Sequence, residues 1–136
     1  MKEYVLDSNA LVRLFRNAPG ADIVDDLIRQ AKVGRARLSI SVVNLIEVVY
    51  VLTRFFGHER ALSCIDKARQ VAESVAVDEQ SALSTANVRI QYKLGLADCF
   101  AAELAMRTGA TLVTADPEFA KLGKQLKVLA LPRHNV

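Results

Sequence analysis

The sequence predicts an α/β fold with a central, mostly parallel five-stranded sheet and helices on both of its faces. Five short apolar runs lack strong period-two alternation, as expected for strands buried on both faces. They occupy residues 4–6, 38–40, 75–77, 112–114 and 128–131. Longer segments with helical periodicity separate these runs, and parallel neighbours need crossover connections of that kind.

The segments between the strands place apolar residues three and four positions apart, as Ile23, Leu27, Ile28 and Ala31 illustrate. A first helix is predicted from about Ala10. Further helices are predicted over residues 42–56 and 59–72, separated at Gly57, and over residues 79–94 and 97–107, which end at Gly95 and near Gly109.

Length and composition bound the class of protein. With 136 residues, the chain can form one complete hydrophobic core, so we predict a single domain over residues 1–136. Hydrophobic residues make up 51% and charged residues 24%, which is typical of a soluble globular protein and not of a disordered or fibrous one. The net charge of +3 does not by itself indicate a nucleic-acid partner. Cys64 and Cys99 have no close-set partner, and we expect both to be buried free thiols.

No apolar stretch is long enough to cross a bilayer. A spanning helix needs ~20 apolar residues, and Asn44, Glu47 and Arg54 interrupt the longest candidate, residues 42–56. Asp7 stands too early for the apolar region of a signal peptide. These features predict a cytoplasmic protein with no membrane association.

Two of the candidate acids directly follow or closely follow predicted strands. Asp7 comes directly after the first strand, and Asp116 follows the fourth. Parallel strands bring their carboxyl ends to one edge of the sheet, where open α/β sheets bind ligands, so we expect both acids there. Each position also has a structural alternative, because Asp7, Ser8 or Asn9 can cap the first helix and Asp116 can cap a helix that begins at Pro117. The sequence leaves both roles open.

Glu47 lies in a predicted helix that is apolar on nearly every side. Val43 and Val51, one turn before and after it, offer no ion-pair partner, and burying the carboxylate unpaired would be costly. The alternative is a polar stripe of Asn44, Glu47 and Arg54 that faces solvent. We favour a functional role, because a metal ion or a site open to water would satisfy the carboxylate.

Asp98 opens the predicted helix after Gly95. A carboxylate in the first turn also interacts favourably with the helix dipole, so a structural role remains an alternative. Because the residue three positions later is Ala101, no capping box supports that role.

Together, Asp7, Glu47, Asp98 and Asp116 form a hypothetical metal site. Mg²⁺ and Mn²⁺ prefer hard oxygen ligands and are usually held by a few carboxylates together with water and substrate phosphate. Metal ions held in this way activate a water and stabilise the charge that develops in phosphodiester hydrolysis. Such a reaction needs neither His nor Cys.

These positions resemble the PIN-domain ribonucleases, especially the VapC-type toxins of bacterial and archaeal toxin–antitoxin pairs. The resemblance spans nearly the whole chain and rests on the order and spacing of four short motifs: residues 5–9 (VLDSN), 41–47 (SVVNLIE), 96–98 (LAD) and 112–119 (LVTADPEF). Pro117 and Glu118 depart from the pattern, because related chains often carry another small polar or acidic residue there. The ligands of a second ion are therefore open, and Glu118 is one candidate.

The resemblance implies a PIN-like three-layer sandwich and an endoribonuclease that uses Mg²⁺ or Mn²⁺. Asp7 and Asp98 would be the principal metal ligands, and Glu47 would be a ligand or hold a water. Asp116 would bind a second, weaker ion or stand just outside the ligand set. Thr114 matches a hydroxyl position of the family and would orient an acid or a water.

The resemblance also implies the partners: an RNA substrate, a second copy of the chain in a homodimer, and a cognate antitoxin protein whose tail covers the acidic pocket. Arg13, Arg16, Arg54 and Lys93 are candidates to contact RNA phosphates. The alternative is that these four side chains belong to the solvated surface.

Other protein classes with acids at strand ends fit less well. A phosphatase of the haloacid-dehalogenase type would need a second Asp two residues after Asp7, where Asn9 stands. A receiver domain would need a Lys near the fifth strand, and residues 130–132 contain none, although Asp78 follows the third strand. A PIN-like module that binds RNA or protein without cleavage is the more credible alternative, and the presence of all four acids argues against it.

Overall fold

Strands and helices alternate along the chain, as the sequence predicts. The structure is a computed structural model and describes residues 1–133, so the last three residues of the predicted domain 1–136 lie outside the described residues. The strands are β1 (Lys2–Leu6), β2 (Ala36–Ser41), β3 (Ala72–Val75), β4 (Thr111–Thr114) and β5 (Val128–Ala130). The helices are α1 (Ser8–Arg16), α2 (Ala21–Lys32), α3 (Val42–Phe56), α4 (His58–Arg69), α5 (Glu79–Tyr92) and α6 (Leu96–Thr108), and a kinked 3-10 segment covers Pro117–Gln125.

The five strands form one sheet in the order β3-β2-β1-β4-β5, and every neighbouring pair is parallel. This confirms the predicted α/β fold with a central parallel sheet. β1 is the middle strand, and its Leu6 is in register with Val113 of β4. The residues that follow β1 and β4 therefore emerge side by side at one edge of the sheet.

Two separate cores cover the two faces of the sheet. Leu6 and Val113 belong to the core under α1, α2, α3 and α4. Their neighbours Val5 and Leu112 belong to the core under α5, α6 and the 3-10 segment. Successive side chains of a strand point to opposite faces, so apolar residues at consecutive positions bury both faces. This arrangement confirms the three-layer sandwich.

The predicted boundaries around the third strand are wrong. The strand runs over Ala72–Val75 instead of residues 75–77, and the preceding helix ends at Arg69 instead of residue 72. β3 is an edge strand, so Glu73 is exposed. An edge strand does not need the continuous apolar run that the prediction was based on.

Helices were predicted to end at or near three glycines, and two of these predictions are confirmed. Gly57 and Gly109 follow helices with positive φ values of 87° and 71°. The helix predicted to end at Gly95 instead ends at Tyr92, because Lys93 adopts the left-handed conformation with φ of 54°. Gly95 is the N-cap of α6.

Both cysteines are free thiols, as predicted. Cys99 is buried, but Cys64 is only half-buried, so the prediction of two buried thiols is wrong for Cys64. Cys64 packs at the margin of the first core. Across residues 1–133, no helix combines the length and apolar character that a membrane span requires.

Candidate active site

Asp7 lies at the centre of the sheet edge where the parallel strands end. Its backbone amide donates a 3.0 Å hydrogen bond to the carbonyl of Val113, which extends the pairing of β1 with β4 by one residue. Its carboxylate caps α1 by accepting a 2.9 Å bond from the amide of Ser8. The side chain is buried, with a relative exposure of 1%. Asp7 is therefore a helix cap and also a member of the acidic edge.

Thr114 and Asn9 hold the other oxygen of this carboxylate. The Thr114 hydroxyl donates a 2.7 Å bond to Asp7 Oδ2 and accepts a 3.0 Å bond from the amide of Asp116. Asn9 Nδ2 donates to Asp7 Oδ2 (2.9 Å) and to Thr114 Oγ1 (3.1 Å), while its Oδ1 accepts a 2.9 Å bond from the amide of Ala115. Sequence reasoning considered Asn9 only as a possible cap and missed this role. Its position two residues after Asp7 was the available signal.

Glu47 is half-buried on α3, one turn after Asn44. The interpretation of Asn44 and Glu47 as a solvent-facing stripe is wrong, because Asn44 is fully buried. Asn44 Nδ2 donates to Glu47 Oε1 (3.3 Å) and to the carbonyl of Ala97 in α6 (3.2 Å). Arg54 is exposed, and its guanidinium lies 5.7 Å from the ring centroid of Tyr50.

Asp98 is the third residue of α6 and not its cap, which is Gly95. Its carboxylate folds back over that cap, since a Cβ added to Gly95 would lie 3.2 Å from Asp98 Oδ2. A side chain at residue 95 would crowd the carboxylate. The glycine therefore leaves room for Asp98 at the edge.

Asp116 caps the 3-10 segment, as the sequence predicts, by accepting a 2.9 Å bond from the amide of Glu118. It also lies within hydrogen-bonding reach of the Asp98 carboxyl group. A bond between two carboxyl groups requires a proton on one of them. Glu118 itself is exposed and forms an ion pair with Lys121. The structure thus places Glu118 in a surface pair instead of the acidic cluster.

Burial and neighbouring negative charges raise the pKa values of two of these acids, Asp7 and Asp98. Burial, the largest cause, raises the pKa of Asp7 to about 6, against the lowering effect of the Thr114 and Ser8 hydrogen bonds. Burial followed by the negative charges of Asp7, Asp116 and Glu47 raises the pKa of Asp98 to about 7. The structure therefore brings together all four acids predicted from the sequence. We call Asp7, Glu47, Asp98 and Asp116 the acidic cluster.

The acidic cluster suits a hard divalent cation. Within residues 1–133, no Lys or Arg forms an ion pair with any of its members. A cation would offset both the burial and the repulsion that raise the pKa values of Asp7 and Asp98. Within residues 1–133, no three Asp, Glu, His or Cys side chains are close enough together to hold one ion in the conformations that the structure describes.

The arginines predicted to contact RNA phosphates differ in how far their guanidinium groups already interact with other residues. Arg13 donates to the carbonyls of Pro19 (2.8 Å) and Arg133 (3.4 Å), and so braces the chain around α1. Arg16 stacks on Phe55 with its guanidinium 3.6 Å from the ring centroid. Arg16 is exposed and remains a candidate for contact with phosphate.

Comparison with known proteins decides the family. The family model described as the PIN domain matches residues 4–125 of the sequence. The chain belongs to the PIN-domain family. PIN domains of this kind are typically nucleases. The matched residues contain the whole acidic cluster.

Solved structures share the fold of this PIN domain. VapBC2 from Rickettsia felis, bound to a promoter DNA fragment, has a TM-score of 0.75 and 21% identity, with 95% of this chain and 98% of that chain covered. DNA-bound VapBC from Salmonella typhimurium has a TM-score of 0.75 and 21% identity, with coverage of 96% and 98%. A toxin–antitoxin complex from Klebsiella pneumoniae has a TM-score of 0.70 and 17% identity, with coverage of 98% and 99%. At these identities the likeness shows the fold. No curated protein sequence matches the chain.

Proposed function

We propose that this PIN domain is a metal-dependent endoribonuclease and the toxin of a type II toxin–antitoxin pair. The observation that carries the proposal is the uncompensated acidic cluster at the carboxyl edge of the sheet, two of whose members have raised pKa values. A partly buried set of carboxylates without a cationic side chain is unfavourable in its charged form, and a bound metal ion would relieve that cost. In a family of nucleases, that ion serves phosphodiester hydrolysis.

Asp7 and Asp98 are the proposed principal ligands of Mg²⁺ or Mn²⁺. Asp7 Oδ2 already accepts bonds from Thr114 and Asn9, whereas Oδ1 accepts one, from the Ser8 amide. A carboxylate oxygen has about two lone-pair sites, so Asp7 has its free site on Oδ1. Asp116 is the proposed ligand of a second, weaker ion or a group next to the ligand set.

In the proposed reaction, the ion and the side chains around it have different roles. A bound divalent ion supplies the positive charge that draws in the scissile phosphate and makes water more acidic. Glu47 would help to hold the ion and would accept the proton of the attacking water. Thr114 and Asn9 keep Asp7 in one orientation, and the leaving oxygen takes its proton from solvent. Because Thr114 and Asn9 hold the Asp7 carboxylate before substrate arrives, that side chain needs little reorganisation during the reaction.

The test is cleavage of RNA by the purified protein with Mg²⁺ or Mn²⁺, beside a single-stranded DNA of the same sequence. We expect RNA cleavage that is abolished by chelation and by either Asp7→Asn or Asp98→Asn. Glu118→Gln is the matched control, because it removes a nearby acid that pairs with Lys121 at the surface. Cleavage that survives both Asp substitutions and chelation would show that the acidic cluster is not the nuclease site. Binding of RNA without cleavage would favour the non-catalytic alternative.

The proposal includes a cognate antitoxin and a homodimer. Exposed apolar side chains that these partners can cover are Ile46 and Tyr50 on α3 and Leu83 and Ile90 on α5, with relative exposures of 67%, 62%, 63% and 75%. The structural likeness to toxin–antitoxin complexes supports the same assignment. Light scattering of the purified chain should give the mass of two copies. A mass of one copy would refute the proposed homodimer.

The toxin assignment has a separate test in living cells. Expression of the wild-type chain in bacteria should slow growth, whereas Asp98→Asn should not. Co-expression of a small DNA-binding protein encoded next to this gene should restore growth and co-purify with the chain. Equal growth of cells that express the wild type and Asp98→Asn would refute the proposed toxin role but would not refute the proposed nuclease activity.

A further inference from the structure

Asn44 is a fully buried amide in a helix whose other buried residues, Val48 and Leu52, are apolar. Its Oδ1 has no hydrogen-bond partner among the described residues. An unpartnered buried carbonyl oxygen destabilises a fold, and an apolar side chain of similar size would avoid that cost. The Oδ1 atom therefore gives the fold no benefit, and the reason for an amide at this position lies in its NH₂ group.

The NH₂ group of Asn44 joins two elements that carry members of the acidic cluster. It donates to Glu47 Oε1 (3.3 Å) on α3 and to the carbonyl of Ala97 (3.2 Å), the residue before Asp98 on α6. The opposite orientation of the amide would place its oxygen against a carboxylate and a carbonyl, so the orientation with NH₂ toward both acceptors is the favourable one. One side chain thus links Glu47 to the turn that carries Asp98.

We infer that Asn44 is a positioning residue that fixes the Glu47 carboxylate relative to the first turn of α6 and so prepares the acidic cluster to hold a divalent cation. This inference rests on the proposed function. Asn44 touches neither substrate nor metal in this role. It acts through Glu47, in the way that groups outside a ligand set orient the ligands themselves.

Mn²⁺ binding without RNA tests the inference, because it needs no turnover. We expect Asn44→Leu to raise the Mn²⁺ dissociation constant about 10- to 100-fold, as loss of such orienting groups does elsewhere. The melting temperature in chelator should stay the same or rise, because the unpartnered oxygen is gone. Asn44→Ala, which cannot overpack the site, should weaken Mn²⁺ binding to the same extent.

Thr53→Val is the matched control. Thr53 lies on the same helix and has a buried oxygen with no partner within residues 1–133, but it makes no bond to Glu47 or α6. It should leave Mn²⁺ binding unchanged. In a Glu47→Gln background, Asn44→Leu should add no further loss, because the carboxylate on which Asn44 acts is already gone.

The outcomes separate the inference from the proposed function. If the wild type binds no Mn²⁺, or if Asp98→Asn leaves binding unchanged, the metal site and the role of Asn44 are both refuted. If the wild type binds Mn²⁺ and both Asn44 variants bind it equally well, only the role of Asn44 is refuted. A lower melting temperature with an unchanged dissociation constant would likewise refute it, because that result marks a purely structural residue.

Discussion

The hydroxyl of Thr114 donates a 2.7 Å hydrogen bond to Asp7 Oδ2 across two neighbouring parallel strands. Both side chains are buried, and each has a relative exposure of 1%. The bond lowers the pKa of Asp7, while burial raises it to a net value of about 6. A single contact therefore orients the central acid and reduces the cost of its charge.

Thr114→Val should remove that bond with little change in side-chain volume. We expect the pKa of Asp7 to rise, because the hydrogen bond that lowers it is lost, and RNA cleavage to fall about 10- to 100-fold. The pH dependence of single-turnover cleavage should move to higher pH. Thr111→Val at the other end of the same strand is the control. An unchanged pH profile in Thr114→Val would contradict this role.

Without metal, the stability of the protein should decline as pH rises from about 4 to above about 7. The folded-state pKa values of Asp7 and Asp98, about 6 and about 7, lie above the ordinary value of 3.8. The folded protein thus binds more protons than the unfolded chain in this range, and stability from these groups is full below 3.8 and lost as pH rises through the folded values. Asp98→Asn should therefore raise the melting temperature in chelator near neutral pH and above, and have little effect near pH 4. Glu118→Gln, with the same charge change, should not reproduce this pattern.

Mg²⁺ should stabilise the protein above about pH 7 and hardly at all near pH 4, because carboxylates must lose their protons to bind a metal. At a concentration of about 100 times the dissociation constant, a ligand of the folded state adds about 2.7 kcal/mol. Differential scanning fluorimetry with and without Mg²⁺ measures the effect. Asp7→Asn should abolish it. Equal stabilisation at both pH values would indicate binding somewhere other than the acidic cluster.

Asp116 should tolerate amidation better than Asp7 or Asp98. Asn is as good an N-cap as Asp, so Asp116→Asn should preserve stability and reduce cleavage less than Asp7→Asn. Asp116→Ala should also lose the cap, which costs about 1 kcal/mol. Melting temperature and cleavage rate measured on both variants separate the cap from the acid. A loss of activity in Asp116→Asn as large as in Asp7→Asn would place Asp116 among the principal ligands.

The sequence was sufficient to predict the order of strands and helices because most strands are buried on both faces. Val5 and Leu6 enter opposite cores, and so produce the continuous apolar run that marks such a strand. In the edge strand β3, the exposed Glu73 breaks that pattern, and the third strand was therefore predicted at the wrong residues. Local periodicity does not encode which strand becomes an edge.

The acids of the site and the hydroxyl of Thr114 were predictable, whereas the two amides that also position the acids, Asn9 and Asn44, were not. Asp7 and Asp116 follow strands, so their convergence follows from parallel topology. Asn9 and Asn44 act through bonds to Thr114, Ala115 and Ala97, which lie 105, 106 and 53 residues away in the sequence. Such partners become visible only when the distant segments are placed together.

The most direct test of the central claim is the rate of RNA cleavage measured as a function of Mg²⁺ concentration for the wild type and Asp98→Asn. The acidic cluster predicts a wild-type rate that rises with Mg²⁺ and saturates, vanishes in chelator, and is absent in Asp98→Asn. Equal, metal-independent rates in the two proteins would contradict a metal site built from Asp7, Glu47, Asp98 and Asp116.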